Sequence, residues 1–417
     1  MRIRSLTTLI AGFLILPASI ALASAGEAAT PSTAALTGFL YTGNAYGTYA
    51  TAGAAVIAGK SAPTTLCTSF GHYGAGNGVA GVNVPNVVTT GVAATGASTD
   101  DTGTSVQAKI TAEVGDANLL SGLITASDVK AVSSTSYDVS GLHARGGGSH
   151  FTALVVNGQS VSDNPAPNTT ILLPGVGRVV LNEQTKAIGA TTVSLTVNML
   201  HVYVTHNTSG VAKGTQILVA HATSGLTGDQ AGSLEGDAYG TWAHSPGHTM
   251  SGRSALVSIG CGGTDGLLKT NSASEVSAPP ELSTGTVTNT AQGTVTADSA
   301  IAETTSRVQA VNLLNGLVTA DAVKADAHAS KSGGVTTVSD TGSTFKNLVV
   351  NGQAMPSDVA PNTSIVVGNI TIWLHRVQET DISIEVTNIE VVASGTNPYG
   401  LPDGTHIQVA VAAASAL

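Results

Sequence analysis

Charge is scarce in this chain, with Asp, Glu, Lys and Arg making up only 10% of its 417 residues, against roughly 25% in an average soluble domain. The basic residues stand singly and are outnumbered 26 to 16. Nucleic-acid recognition needs a clustered basic stripe to meet phosphates, so that class is excluded. Aromatic residues are down to 4%, too few to favour a carbohydrate-binding module, which presents aromatic platforms. No GxSxG elbow of a serine hydrolase is present. No apolar run reaches the roughly 20 residues of a spanning helix, because the stretch Leu9–Leu22 is broken by Gly12 and Pro17. Low charge does not signal disorder, since 42% of the residues are hydrophobic and fall in alternating runs, whereas disordered chains are poor in apolar residues.

What the chain does have is one module written twice. FTALVVNGQSVSDNPAPNTTI, from Phe151, returns as FKNLVVNGQAMPSDVAPNTSI, from Phe345. The same offset of 194 residues carries NLLSGLITASDVKA (Asn118–Ala131) onto NLLNGLVTADAVKA (Asn312–Ala325), and Cys67 onto Cys261. AYGTYA (Ala45–Ala50) opens the first copy and AYGTWA (Ala238–Ala243) the second. The repeat selects a first β domain over 37–224, a Gly- and Ser-rich linker over 225–232 and a second β domain over 233–417.

The hydrophobic period is two, the signature of half-buried strands. It runs through Leu195 and Val197, then Leu200, Val202 and Val204, and likewise through Ile382, Ile384 and Val386, then Ile389 and Val391. The jump of three in each series predicts a β-bulge at Asn198–Met199 and another at Thr387–Asn388, since one absorbed residue returns the apolar face to the same side. Asn157-Gly158 and Asn351-Gly352 favour type I′ hairpins. Ser105–Val132 and its copy Arg307–Ala325 read as strand, turn, strand. Gly368-Asn369 joins two strands where the first copy has Pro174-Gly175-Val176-Gly177. The expected fold is all-β, two tandem antiparallel sandwich-like domains; the alternative is a β-helix solenoid, for which short-period repeats are expected but absent.

Arg2 and Arg4, the apolar stretch and Ala23-Ser24-Ala25 form an export signal over 1–25. Its removal takes away two arginines and leaves a mature net charge of −12. AYG, a lone Cys after the first strands, LVVNGQ, PNTxI, LNEQ (Leu181–Gln184) and TVNMLHVYV (Thr196–Val204) resemble the choice-of-anchor P family. That resemblance implies a β-rich bacterial protein of the cell surface, with no enzymatic activity attached to membership. The second copy departs from it, reading WLHRVQ (Trp373–Gln378) and TNIEVV (Thr387–Val392). Neither an LPxTG sorting signal nor a lipobox cysteine is found; Leu401-Pro402-Asp403-Gly404 is only an echo.

Two exported cysteines at equivalent positions are candidates for a disulfide, which requires Cα atoms within about 4.4–6.8 Å; otherwise Cys67 and Cys261 are free thiols or link neighbouring molecules. Gly76–Gly81 fits GxGxxG with Asp100 and Asp101 downstream, but the motif has force only in a βαβ unit. His244, His248, His201 and His206 suggest a metal, yet none of the eleven histidines faces a histidine in the other copy; His201 faces Glu390 and His375 faces Asn182. Glu113, Asp116, Asp128, Glu183, Asp321 and Glu385 form no evident glycosidase pair, which needs two carboxylates roughly 5–9 Å apart. The reading is therefore a secreted or cell-surface structural or adhesive protein, not an enzyme, with no cofactor and no metal. Its expected partners are cell-envelope or matrix components or further copies of itself, with no nucleic acid and no membrane span after signal removal. A carbohydrate-binding module, then an enzyme of unrecognised type, are the alternatives.

Overall fold

A computed structural model describes residues 35–417 except 209 and 247, with the backbone alone at 248–250; the expected export signal lies outside the described residues. The fold is all-β, 66% strand and 1% helix, in antiparallel sheets of which none closes into a barrel. The principal strands of the first half are β1 (Phe39–Ala52), β2 (Thr64–Thr68), β3 (Tyr73–Val79), β4 (Ala93–Asp101), β5 (Val106–Leu119), β6 (Ile124–Asp138), β7 (Thr169–Leu173), β8 (Gly177–Ile188), β9 (Thr192–Val204) and β10 (Thr215–Gly228). Those of the second half used below are β11 (Leu234–Ser245), β12 (Val257–Ile259), β13 (Val287–Val295), β14 (Ser299–Leu313), β15 (Val318–Ser332), β16 (Thr363–Val367), β17 (Ile370–Glu379), β18 (Ser383–Ala393) and β19 (His406–Ala416).

Each half stacks a seven-stranded sheet on a ten-stranded one. The seven-stranded sheets run β7-β8-β9-β10-β1 and β16-β17-β18-β19-β11, so the first strand of each half closes against its last. Alternation makes the layers. Along β5, Val106, Ala108, Ile110, Ala112 and Val114 point into the core, while Gln107, Lys109 and Glu113 face out. Two separate apolar clusters result, one spanning Tyr41 to Leu226 and the other Leu234 to Ala416. Buried hydroxyls tie the sheets together: Ser133 Oγ donates to the Leu195 carbonyl at 2.7 Å and lies 2.8 Å from Ser224 Oγ.

The Asn-Gly hairpins form as the sequence suggests. Val156 pairs Gln159 around Asn157 and Gly158, both at positive φ, and Val350 pairs Gln353 around Asn351 and Gly352. Gly368 and Asn369 join β16 to β17. The GxGxxG stretch lies at and just beyond β3, antiparallel to β4, with no helix beside it.

Two expectations need correction. The linker does not begin at 225: Gly225, Leu226, Thr227 and Gly228 are the end of β10, paired to Thr42, Tyr41, Leu40 and Phe39, and the join shrinks to 229–233. Leu226 is apolar and buried, so this Gly-bearing stretch had core to fill. The bulges are also absent. Inward residues of β9 do skip from Val197 to Leu200, but every neighbour skips at the same level: Leu181 to Gln184 in β8, Val219 to Ala222 in β10, Ala45 to Thr48 in β1. Leu181, Leu200, Val219 and Thr48 stay in register on one side, and Gln184, Val197, Ala222 and Ala45 on the other. A one-sided insertion shifts the register; a step shared by the whole sheet does not.

The second half repeats this step through His375, Asn388, Ala410 and Gly240. Alternate strands carry it on a left-handed residue: Asn182 (φ 49°) and Ala220 (54°), then His375 (50°) and Ala410 (55°). The glycine in the first strand is obligatory, because a Cβ on Gly47 would sit 2.6 Å from Ala93 Cβ and one on Gly240 would sit 2.2 Å from Val287 Cγ1.

The halves meet at the join. Cys67, at the end of β2, is bonded to Cys261, just past β12, with Cα atoms 5.8 Å apart. Beside the bridge the Ser69 amide donates to Ser233 Oγ at 3.2 Å, and Ser69 Oγ donates to the carbonyl of Leu417 at 3.3 Å.

Candidate functional site

The step across the seven-stranded sheet has a chemical consequence on its outer face. Two residues per strand lie between inward neighbours, and one of each pair is presented outward at the same level. In the first half this row is Tyr46, His221, Asn198 and Glu183, paired strand to strand. His201 and Tyr203, further along β9, fold back onto it.

Glu183 is the centre. Its Oε2 accepts Asn198 Nδ2 at 2.8 Å and bonds His201 Nδ1 at 2.6 Å, and its Oε1 accepts the Tyr203 hydroxyl at 2.8 Å. These donors hold its carboxyl at about 2, the His201 bond contributing most. His201 Nε2 reaches Gln216 Oε1 at 3.0 Å, and its ring lies 3.9 Å from that of Tyr203. His221 stacks on Tyr46 at 4.2 Å and bonds Asn198 Oδ1 at 2.6 Å; burial first, then Lys60 and His201, push its imidazole down to about 4. Burial likewise raises the phenols of Tyr46 and Tyr203 to about 12. The carboxylate is thus saturated by neighbours and too weak a base to take a proton near neutrality.

The second half answers position by position. The residue at the place of Glu183 is Arg376, that at the place of His201 is Glu390, and that at the place of Gln216 is His406. Arg376 bonds Glu390 Oε2 and His406 Nε2 bonds Glu390 Oε1, with the Glu390 side chain only 3% exposed. The pair survives with its polarity inverted. Lys60 lies 4.9 Å over Tyr46, and Arg253 lies 4.8 Å over Tyr239 at the matching place. Asn182 Nδ2 donates to the Pro165 carbonyl at 3.1 Å, and His375 Nδ1 donates to the Val359 carbonyl at 2.8 Å, carbonyls 194 residues apart. His375 therefore fastens the loop before β16, as Asn182 fastens the loop before β7.

The other sequence candidates are dispersed. Glu113 pairs Lys130 at 2.7 Å, Asp128 faces His150 at 3.5 Å, and Asp321 accepts Asn347 Nδ2 at 2.7 Å. Asp116 sits at positive φ beside Gly91. Glu385 shares an outward row with Asp237 across Ala413; burial raises both carboxyls, and the Asp237 charge raises that of Glu385 further. His206 is exposed beside Thr205, while His244 stacks on Trp242; the side chain of His248 lies outside the described residues. Among the described residues no group of three His, Cys, Asp or Glu is placed to hold a metal ion, and no helix is long and apolar enough to cross a membrane.

Sequence reasoning singled out Glu183 and His201 but missed Tyr46, Asn198 and His221, which join them only through the register of four strands. No protein-family model and no curated protein matches the chain.

Proposed function

We propose that the chain is an exported, extracellular or cell-surface protein with a structural or adhesive role and no catalytic one. The inverted ion pair carries this reading. A general acid or nucleophile must keep its identity to keep its chemistry, whereas a brace needs only complementarity. What Glu183–His201 and Arg376–Glu390 have in common is complementarity alone. The Cys67–Cys261 bond supports an oxidising compartment. The sequence resemblance to choice-of-anchor P proteins supports the surface of a bacterium, with envelope or matrix components or further copies as partners.

The test is to produce the full chain in a bacterium with the matching export machinery, locate it, and sequence its N-terminus. The expected product is extracytoplasmic, begins at Gly26 and contains no free thiol. Cytosolic protein with residues 1–25 intact and both thiols titratable overturns the location. Turnover of any glycoside, ester or peptide that Glu183→Gln abolishes overturns the non-catalytic role.

A further inference from the structure

The chain has two tryptophans, and both lie on one outward row of the second half: Trp242, Gln408, Glu390 and Trp373, paired in that order across β11, β19, β18 and β17. Both rings are partly exposed. In a chain so poor in aromatics this is a concentration that strand propensity does not require. The equivalent row of the first half is Tyr49, Leu218, His201 and Val180, which ends on one aromatic ring only.

The rings are held in place by their neighbours. Trp242 packs near-parallel to His244 at 5.9 Å and edge-on to His406 at 5.2 Å, and Arg376 stands 5.5 Å from the centre of the Trp373 ring. Three inter-strand steps separate the ends of the row, a span of roughly 14 Å, the length of a short oligosaccharide. Between the rings lie planar hydrogen-bonding groups. The Tyr239 hydroxyl donates to Gln408 Oε1 at 2.7 Å, which fixes the amide and leaves its nitrogen without a partner among the described residues. Arg376 keeps a third of its side chain exposed beside the buried Glu390.

From this geometry we infer that the outer face of the β16–β11 sheet in the second half binds a neutral, extended polysaccharide, its sugar rings stacked on Trp242 and Trp373 and its hydroxyls met by Gln408, Arg376 and His406. A pyranose presents an apolar C–H face and a rim of hydroxyls, and needs flat aromatic surface flanked by fixed polar groups. Neutrality follows from charge: Arg376 and Glu390 cancel each other, and the whole chain is acidic at −10, which repels an anionic polymer. The inference adds a partner class to the proposed surface role, and its failure would leave that role standing.

Because no other tryptophan exists, indole emission reports this face directly. The mature chain is titrated with hexaoses of β-1,4-linked glucose, xylose, mannose and N-acetylglucosamine, with a galacturonic acid hexamer as the anionic control, and migration through gels containing the matching polysaccharides gives a second readout. At least one neutral hexaose should shift the emission saturably while the anionic one does not. Trp242→Ala and Trp373→Ala should each weaken gel retardation about tenfold or more, Trp373→Phe only a few-fold, and Tyr49→Ala not at all. No saturable shift with any neutral hexaose, in protein whose indoles acrylamide quenches freely, overturns the inference. So does retardation that survives both alanine variants, or preference for the galacturonic acid hexamer.

Discussion

Removing the Cys67–Cys261 bond should destabilise the two halves unequally, although its ends occupy equivalent positions. The bond closes a separation of 194 residues, which in the chain-entropy description stabilises the fully folded molecule by about 5 kcal/mol relative to the fully unfolded one. Partial unfolding samples different loops. If the second half opens while the first stays folded, the free chain runs only from Gly228 to Cys261, some thirty residues, and the stabilisation falls to about 4 kcal/mol. If the first half opens alone, the free chain runs from Cys67 to Leu234 and nearly the whole 5 kcal/mol remains. The perturbation is Cys67→Ser with Cys261→Ser, compared with the oxidised chain in urea. Both tryptophans report the second half, and six of the eight tyrosines lie in the first, so the two transitions are read separately. With a slope of about 2 kcal/mol per molar urea, the tyrosine midpoint should fall by about 2.5 M and the tryptophan midpoint by about 2 M. Coincident transitions that move together by the larger amount would mean the halves unfold as one unit. Midpoints that move by less than about 0.5 M in both signals would refute the reasoning, as would a larger shift in the tryptophan signal.

Arg376→Glu should cost about 3–5 kcal/mol, because it sets a carboxylate against the buried Glu390; adding Glu390→His, which copies the first half, should restore most of the loss, and thermal melting of both variants checks it. Acidification should weaken the first half in two stages, since the folded values of His221 and Glu183 are both depressed. Between pH 6.5 and about 4 the unfolded chain takes up a proton that folded His221 refuses, a loss of up to roughly 3 kcal/mol. Glu183 adds its loss as pH falls from 4.5 towards about 2. His221→Asn should flatten the first stage in urea midpoints measured from pH 7.5 to 4, and an unchanged slope there would sink the assignment.

The duplication, the strand pairs around Asn157-Gly158 and Asn351-Gly352, and the symmetry of the cysteines were legible in the sequence because each depends on neighbours in the chain or on self-comparison. The step across the sheet was legible only as a jump in spacing. Read from one strand it implies a bulge; its true form depends on β1, β8 and β10 making the same jump, and two carriers, Ala220 and Ala410, are alanines that give no local sign of a left-handed backbone. The extent of β10 was misjudged because Gly225 and Gly228 look like linker, while the force that orders them is the burial of Leu226 against the core. The site escaped for a related reason: Glu183, Asn198 and His221 are spread over nearly forty residues and meet only through register.

Tandem copies of one fold run the risk that a strand from one half inserts into the other while both are incomplete. Here such an exchange is penalised by its own electrostatics. Were β8 to take the place of β17, Glu183 would lie against Glu390, acid on acid in a nearly dry pocket; the reciprocal trade would press the guanidinium of Arg376 onto the imidazole of His201. By reversing a single pair, the protein gives each repeat a private key, so that two copies of one fold are biased to assemble each with its own strands.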